Sequence, residues 1–246
     1  MLRLNFGIIL FIISIILFGC FNENESPNTT LIEYSLFDKD TEGWIPEFSG
    51  FPPEMEDSMK LDYIHESIFV SASIGYVSAF KQSGYAANSN LFMYIKQQVS
   101  GLQANARYLV RIEVELNSQL LEKYSGNLDD ENYGSFLKVG AFKSEPSTIE
   151  APDALNADVA VVSPDFDKGD NNKGGDDMVM LGRLEYTDIG APPIILNGNN
   201  KDQPVYAVTN EEGKLWIAVG VDTNIPVYQE IAYTVIVAQF EFQSNL

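Results

Sequence analysis

Apolar and polar residues alternate along several stretches of the chain, and clusters of Gly, Pro, Asn and Asp separate these stretches. The clearest stretch is YLVRIEVEL, residues 108–116, in which every second residue is apolar and Arg111, Glu113 and Glu115 lie between the apolar residues. A period of two turns one row of side chains toward a core and the other toward solvent. The pattern therefore predicts a half-buried antiparallel strand.

Weaker patterns of the same kind predict further strands along the chain. They lie at residues 68–74, 91–99, 136–142, 178–186, 215–222 and 231–242. Turn-forming residues occur between them, as in SGYAANSN and NGNNKDQP. The pattern shows no long amphipathic helix, and residues 116–124 are compatible with a short one. Many strands joined by long loops predict an all-β fold, an antiparallel β-sandwich of the jelly-roll type, with residues 31–246 as a single domain.

The N-terminal sequence, MLRLNFGIILFIISIILFGC, has a positive Arg3 followed by an almost unbroken apolar run. This composition is typical of a secretory signal, and the run is shorter than the roughly 20 apolar residues of a membrane-spanning helix. The sequence LFGC resembles a bacterial lipobox, whose cysteine is lipidated and becomes the N-terminus. The resemblance implies a signal peptide over residues 1–19, acyl chains such as palmitate on Cys20, and a polar tether over residues 20–30. The alternative is an ordinary signal peptide or membrane anchor in which Cys20 is incidental.

Composition restricts the partners of the chain. Cys20 is the only cysteine, so no internal disulfide forms. The formal net charge is −20, and such a surface repels phosphate backbones, which argues against nucleic acid as a partner. Anionic lipid headgroups are disfavoured for the same reason. We therefore expect membrane attachment through the N-terminal lipid, in the bacterial cell envelope and at the outer membrane.

One segment resembles a known family of modules. The sequence QQVSGLQANARYLVRIEVEL, residues 97–116, is similar to a pattern in jelly-roll carbohydrate-binding modules of the galactose-binding-like class: a strand, a turn, then an aromatic residue and an alternating strand. The segments FDKDTEGW, NSNLFMYIKQQVSGL, SFLKVGAFKSEP and DKGDNNKGGDDMVMLG resemble uncharacterised secreted bacterial proteins. These resemblances imply a single jelly-roll fold with glycan as the expected partner, and they transfer no catalytic residue.

Histidine chemistry is nearly excluded. His65 is the only histidine, so a multi-histidine zinc or iron site cannot be assembled within the chain. A Ser-His-Asp triad would have to use His65, and its surroundings, DYIHESIFV, contain no nucleophile elbow. A structural role is favoured for this histidine.

Carboxylates remain as a chemical resource. Glu113 and Glu115 project from one face of the predicted strand, with Cα atoms about 6.6 Å apart at a rise of about 3.3 Å per residue. Glycoside hydrolases use two carboxylates about 5 to 9.5 Å apart, so this pair is a candidate catalytic site. The simpler alternative is a charged, solvated strand face on which Arg111 partly offsets the two negative charges.

Two tryptophans are candidate ligand-binding residues, because an aromatic ring packs on the apolar face of a sugar. In LWIAVGVD the residues that alternate with the apolar ones include Trp216 and Asp222, with two very small residues between them. This arrangement predicts a shallow groove with a carboxylate at its end, which would receive a sugar ring. The alternative is that another segment of the chain covers this face. Trp44, in FDKDTEGWIPEF, is the second candidate, and its surroundings otherwise indicate an edge strand and a turn.

The acidic loop DFDKGDNNKGGDD, residues 165–177, is rich in oxygen ligands of the kind that calcium prefers. The candidate ligands are Asp165, Asp167, Asp170, Asn171, Asp176 and Asp177. Their spacing excludes an EF-hand, because Asp170 replaces the central glycine and Asp176 replaces the final glutamate. An irregular site for a structural calcium, the only cofactor that the sequence suggests, is one interpretation. The other is a solvated loop whose charge Lys168 and Lys173 partly offset.

Together these patterns favour a lipid-anchored envelope protein with a non-catalytic binding or surface-display role, related to glycans. Two alternatives stay open at this level. One is a carboxylate-dependent glycan-active hydrolase that uses Glu113 and Glu115. The other is a purely structural or adhesion protein of the envelope, which would bind a protein partner.

Overall fold

The computed structural model describes residues 30–120, 130–153, 156–184 and 194–246, and these form fourteen β-strands. In chain order the strands are β1 (Thr30–Ser35), β2 (Ile45–Ser49), β3 (Asp62–Ser71), β4 (Gly75–Tyr85), β5 (Leu91–Val99), β6 (Ala106–Leu120), β7 (Ser135–Phe142), β8 (Thr148–Pro152), β9 (Ala160–Pro164), β10 (Met178–Arg183), β11 (Ile194–Asn199), β12 (Val205–Val208), β13 (Leu215–Thr223) and β14 (Tyr228–Asn245). A 3₁₀ turn (Pro53–Met55) and a short helix α1 (Glu56–Met59) lie between β2 and β3.

Two antiparallel sheets form the body of the molecule. The seven-stranded sheet has the order β11-β6-β14-β4-β3, with β1 added beside β14 and β12 added beside β6. The five-stranded sheet has the order β10-β7-β13-β5-β2, and β8 and β9 form a separate two-stranded ribbon. The predicted all-β antiparallel sandwich is confirmed.

The core lies between the facing sides of the two sheets. Alternate residues of β6, from Tyr108 to Leu116, are buried in it, and so are alternate residues of β13, from Leu215 to Val221. Burying one large apolar side chain contributes about 1.5–3 kcal/mol, so the period of two fixes which face of each strand turns inward. We call the other face of each sheet its outer face. The outer face is available for other contacts.

Three predicted elements have different bounds in the structure. Residues 116–120 continue β6 and do not begin a helix, because they pair with β14 and, over part of their length, with β11. The strand predicted at residues 68–74 ends at Ser71, and residues 72–74 form the turn into β4. The strand predicted at residues 178–186 ends at Arg183. Residues 121–124 and 185–186 lie outside the described residues.

The predicted signal peptide and Cys20 also lie outside the described residues. Lipidation of Cys20 therefore stays a prediction. Among the residues that the structure describes, no helix combines the length and the apolar character needed to cross a bilayer.

Candidate functional site

The predicted groove beside Trp216 is filled by the acidic loop. Phe166 of this loop packs on the outer face of the five-stranded sheet, with its ring centroid 5.6 Å from that of Tyr94 and 4.9 Å from that of Phe142. Ala218, next to Trp216 on this face, is buried in the same cluster. Trp216 is half-buried. The interpretation in which another segment covers this face is the one that agrees with the structure.

Asp222, the predicted end of that groove, is fully buried and ion-paired with two lysines. Its Oδ2 accepts hydrogen bonds from Nζ of Lys138 at 2.8 Å and from Nζ of Lys168 at 2.6 Å. Burial lowers the pKa of Lys138, and the nearby carboxylate of Asp222 acts in the opposite direction. The carboxylate holds the acidic loop against the sheet, so its predicted role as a ligand-binding residue is corrected to a structural one.

An ammonium group lies where two carbonyl oxygens of the acidic loop converge. Nζ of Lys138 donates to the carbonyl oxygen of Lys168 at 3.0 Å and to that of Asp170 at 2.6 Å, in addition to its bond with Asp222. The lysine therefore binds both of these carbonyl oxygens. Asn171 lies in a turn that the N–H of Lys173 closes on the carbonyl of Asp170.

The carboxylates of the loop bind backbone and hydroxyl groups. Asp165 accepts from the N–H and the hydroxyl of Ser147, both at 2.8 Å. Asp167 accepts from the N–H groups of Asp176 and Gly169, which lowers the pKa of the Asp167 carboxyl. Asp177 accepts from the N–H of Asp167. No group of three or more acidic, histidine or cysteine side chains in the described ranges is arranged to hold a metal ion. The loop is therefore bonded to itself and to Ser147, and the calcium site stays a prediction.

Trp44 and His65 are structural residues. Trp44 is only 2% exposed, and its Nε1 donates to the hydroxyl of Ser35 at 2.8 Å. Its ring lies in the core and presents no face to a ligand, which corrects the predicted role. Nε2 of His65 donates to the carbonyl oxygen of Phe37 at 2.6 Å and ties β3 to the segment after β1.

An open groove lies on the outer face of the seven-stranded sheet. Its volume is about 670 Å³, within the range of about 300–1,000 Å³ that small-molecule sites occupy. We call it the β6 groove; it is lined by Arg111, Ile112 and Glu113 of β6, by Val237 and Gln239 of β14, and by residues 199–202 at the end of β11.

The strand register brings the floor of the β6 groove together. Arg111 pairs with Gln239, and Glu113 pairs with Val237 on one side and Asn199 on the other. Cross-strand partners lie on the same face of a sheet, so these side chains form one surface. Nη1 of Arg111 donates to a carboxylate oxygen of Glu241 at 2.8 Å, which fixes the guanidinium plane at the edge of the floor.

Two exposed tyrosines flank the β6 groove. Tyr34 on β1 pairs with Val237 and is 63% exposed. Tyr206 on β12 pairs with Leu109, the next outward residue before Arg111, and is 51% exposed. The strand order β1-β14-β6-β12 places the two rings on opposite sides of the floor.

Only one of the two predicted catalytic glutamates lines the groove. Glu113 lies on its floor, with Asp202 on its wall. Glu115 is not part of the lining; its Oε1 accepts from the hydroxyl of Thr234 at 2.9 Å, at the bulge in β14. Of the two glutamates only Glu113 therefore lines the groove, and Glu115 is bonded within its own sheet.

Sequence reasoning missed both tyrosines and the wall of the groove. Tyr34 and Tyr206 belong to the short strands TLIEYS and VYAV, which show too few residues for a clear period. The available signal was a large aromatic residue in a short segment next to polar turns. This signal indicates a strand at the edge of a sheet, but it does not indicate with which strand the segment pairs.

No protein-family model matches the chain, and no curated protein is similar to it. Several solved structures overlap with it at low identity. The enzymatically active domain of tailspike protein 4 of bacteriophage CBA120 has 7% identity and a TM-score of 0.36, with 85% of this chain and only 20% of that chain covered.

Two smaller structures are covered almost completely. The CBM22-1 xylan-binding domain of Xyn10C from Paenibacillus barcinonensis has 12% identity and a TM-score of 0.33, over 87% of this chain and 95% of that chain. The K1 cleaved adhesin domain of Lys-gingipain from Porphyromonas gingivalis has 9% identity and a TM-score of 0.36, over 88% and 99%. TM-scores of this size carry no conclusion about function.

Proposed function

We propose that this protein binds glycans without cleaving them, that the β6 groove is the binding site, and that a lipid on Cys20 anchors the protein in the bacterial cell envelope. One observation carries the proposal: polar side chains with planar groups cover the floor between two exposed tyrosine rings. Sugars present hydroxyl groups around a ring with apolar C–H faces. Guanidinium, carboxylate and amide groups bond the hydroxyls in pairs, and aromatic rings pack on the C–H faces.

The charges of the groove favour a neutral glycan. Arg111 and Lys201 contribute two positive charges to the lining, and Glu113 and Asp202 contribute two negative charges. The lining is therefore balanced, whereas the whole chain carries a net charge of −20. A polyanionic glycan would meet repulsion from the surrounding surface without a basic patch to offset it.

The geometry argues against hydrolysis by the predicted pair Glu113 and Glu115. Two-carboxylate hydrolysis needs both groups beside the same glycosidic bond. The predicted pair is divided, because Glu113 lines the groove and Glu115 is bonded to Thr234. Glu113 then acts as a hydrogen-bond acceptor for sugar hydroxyls.

Retention on immobilised polysaccharides tests the binding function. The purified protein should be retained on a neutral polysaccharide and should pass through a polyanionic one. Reducing ends measured in the same samples should stay at the level of a protein-free control. Passage through every neutral polysaccharide would refute glycan binding, and release of reducing ends would support the hydrolase.

The lipid anchor has a separate test. Cells that express the wild-type chain should incorporate labelled palmitate into the protein and retain it in the membrane fraction. The Cys20→Ser variant should lose both properties, because the thiol that accepts the lipid is absent. Equal labelling and equal fractionation of the two proteins would refute lipidation at Cys20.

A further inference from the structure

A second pocket lies farther along the outer face of the seven-stranded sheet. Its volume is about 240 Å³, and its lining includes Glu66, Ile68, Lys81, Asn117, Glu230 and Ala232. We call it the Asn117 pocket. Asn117 is four residues from Glu113 on β6 and faces the same way, which places the two Cα atoms about 13 Å apart along the strand. The pocket and the β6 groove therefore share one face.

Asn117 carries an unusual pair of polar atoms. The residue is only 4% exposed, and neither its Oδ1 nor its Nδ2 has a hydrogen-bond partner in the described part of the protein. Each buried polar group left unbonded costs about 1–3 kcal/mol. Its cross-strand neighbour on β14 is Ala232, which supplies no polar group. An apolar residue would pack here without this cost. The donor and the acceptor of Asn117 are therefore candidate groups for binding a ligand.

The groups around Asn117 define the chemistry of that ligand. A donor and an acceptor on one amide complement the C=O and N–H of another amide. Ala232 and Ile68 add apolar surface beside them, suited to a methyl group. Lys81 is held between the carboxylates of Glu66 and Glu230, so the pocket has one more negative than positive charge and offers acceptors for hydroxyl groups.

We propose that the Asn117 pocket is a second sugar subsite, which takes a residue bearing an acetamido group within the same glycan chain. This rests on the proposed glycan-binding function. The acetamido methyl packs on Ala232, and its C=O and N–H bond the side-chain amide of Asn117. A free amino sugar would be attracted by the net negative charge, but it would leave Nδ2 of Asn117 without an acceptor.

Three tetrasaccharides with the same β-1,4 linkage test this subsite, because they differ at C2. They are the tetramers of N-acetylglucosamine, glucosamine and glucose, and their affinities are measured by calorimetry with the full chain. We expect the acetylated tetramer to bind about 10-fold more tightly than each of the others, the effect of one or two hydrogen bonds. The Asn117→Ala variant should lose this preference while it keeps its affinity for the glucose tetramer.

A second variant distinguishes loss of the subsite from misfolding of the Asn117→Ala protein. Asn117→Leu keeps the branched shape and the number of heavy atoms of the side chain and removes the unbonded polar atoms, so it should melt at the same temperature as the wild type or higher and should also lose the preference. Persistence of the preference in both variants, or equal affinities of the wild type for all three tetramers, would overturn the subsite.

The variant Tyr206→Ala distinguishes this failure from failure of the proposed function. It should weaken all three tetramers by a similar factor, because its ring flanks the β6 groove and does not line the Asn117 pocket. Loss of affinity in Tyr206→Ala without any acetamido preference would leave the proposed function in place and overturn the subsite. Absence of binding by all three tetramers would overturn the subsite as well, and polysaccharide retention then decides the function separately.

Discussion

Asn200 shows how a single side chain fixes the wall of the β6 groove. Strand β6 pairs with β12 up to Val110 and with β11 from Glu113 onward, which leaves a gap between these partners. Asn200 fills the gap: its Oδ1 accepts from the N–H of Ile112 at 2.6 Å, and its Nδ2 donates to the carbonyl of Val110 at 3.0 Å. The side chain thereby replaces a missing strand and positions the two residues that follow it.

Replacing Asn200 by alanine should lower the free energy of unfolding by about 2 kcal/mol or more. The reason is that two buried backbone groups lose their partner, and each costs about 1–3 kcal/mol. Urea denaturation measures the change. Asn199→Ala is the matched control, because Asn199 is exposed and should cost little. Equal losses of unfolding free energy in the two variants would show that the hydrogen bonds of Asn200 do not stabilise the wall of the β6 groove.

Residue type alone misplaced the aromatic platform. Tryptophan has the largest ring, so Trp44 and Trp216 were natural candidates, but the ring of Trp44 is 2% exposed and bonded to Ser35. The exposed rings are tyrosines, whose position depends on pairing of β1 with β14 and of β12 with β6. Such long-range pairing cannot be predicted from the local pattern of apolar and polar residues.

At the level of the strand, periodicity was informative where strands are long. Strands β6 and β13 show clear alternation, and the side predicted to face the core does face it. Short strands such as β12, with four residues, contain too few positions for a period to be read. The strand face of Glu113 was therefore predictable, whereas the wall and rims of its groove were not.

The contacts of the acidic loop could not be predicted, because the ammonium group that binds its carbonyl oxygens comes from another strand. Lys138 on β7 and Asp222 on β13 are 84 residues apart in sequence, so nothing local links them to the loop. The glycines of the loop are explained by its backbone conformation. Gly169 has a φ of +74°, and a Cβ there would collide with the backbone of Gly174. They let the loop close on itself, which is why it resembles an ion-wrapping segment.

The acidic loop should open when Asp167 is protonated. Hydrogen bonds from the N–H groups of Asp176 and Gly169 lower the pKa of its carboxyl below the ordinary value of 3.8. Ionised Asp167 therefore stabilises the loop above about pH 3.8 and ceases to do so as the pH falls through the lower folded pKa. Hydrogen-exchange protection of the Gly169 and Asp176 amides, corrected for intrinsic rates, should fall over that range.

The variant Asp167→Asn is the control for this pH dependence. Its amide keeps an acceptor oxygen but does not titrate, so the protection of the same two N–H groups should be lower at neutral pH and should not change in the same acid range. An acid transition of equal size in this variant would assign the effect to another carboxylate.

Across the whole molecule, the outer faces of the two sheets differ in what covers them. Phe166 and the ion pairs of Asp222 hold the acidic loop on the five-stranded sheet. The seven-stranded sheet keeps its β6 groove open between Tyr34 and Tyr206. The open surface of a size suited to a ligand therefore lies on the seven-stranded sheet, and under the proposed function the net charge of −20 disfavours an anionic ligand.

The affinity of tyrosine variants for a neutral glycan that retains the wild-type protein is the most direct test of glycan binding at the β6 groove. A ring that buries about 60 Å² of apolar surface against a sugar contributes about 1.5 kcal/mol, so Tyr34→Ala and Tyr206→Ala should each weaken binding about 10-fold. Tyr133→Ala removes an exposed ring that lies just before β7, a strand of the five-stranded sheet, and should leave the affinity unchanged. Unchanged affinity in both groove variants, or an equal loss in Tyr133→Ala, would contradict glycan binding at the β6 groove.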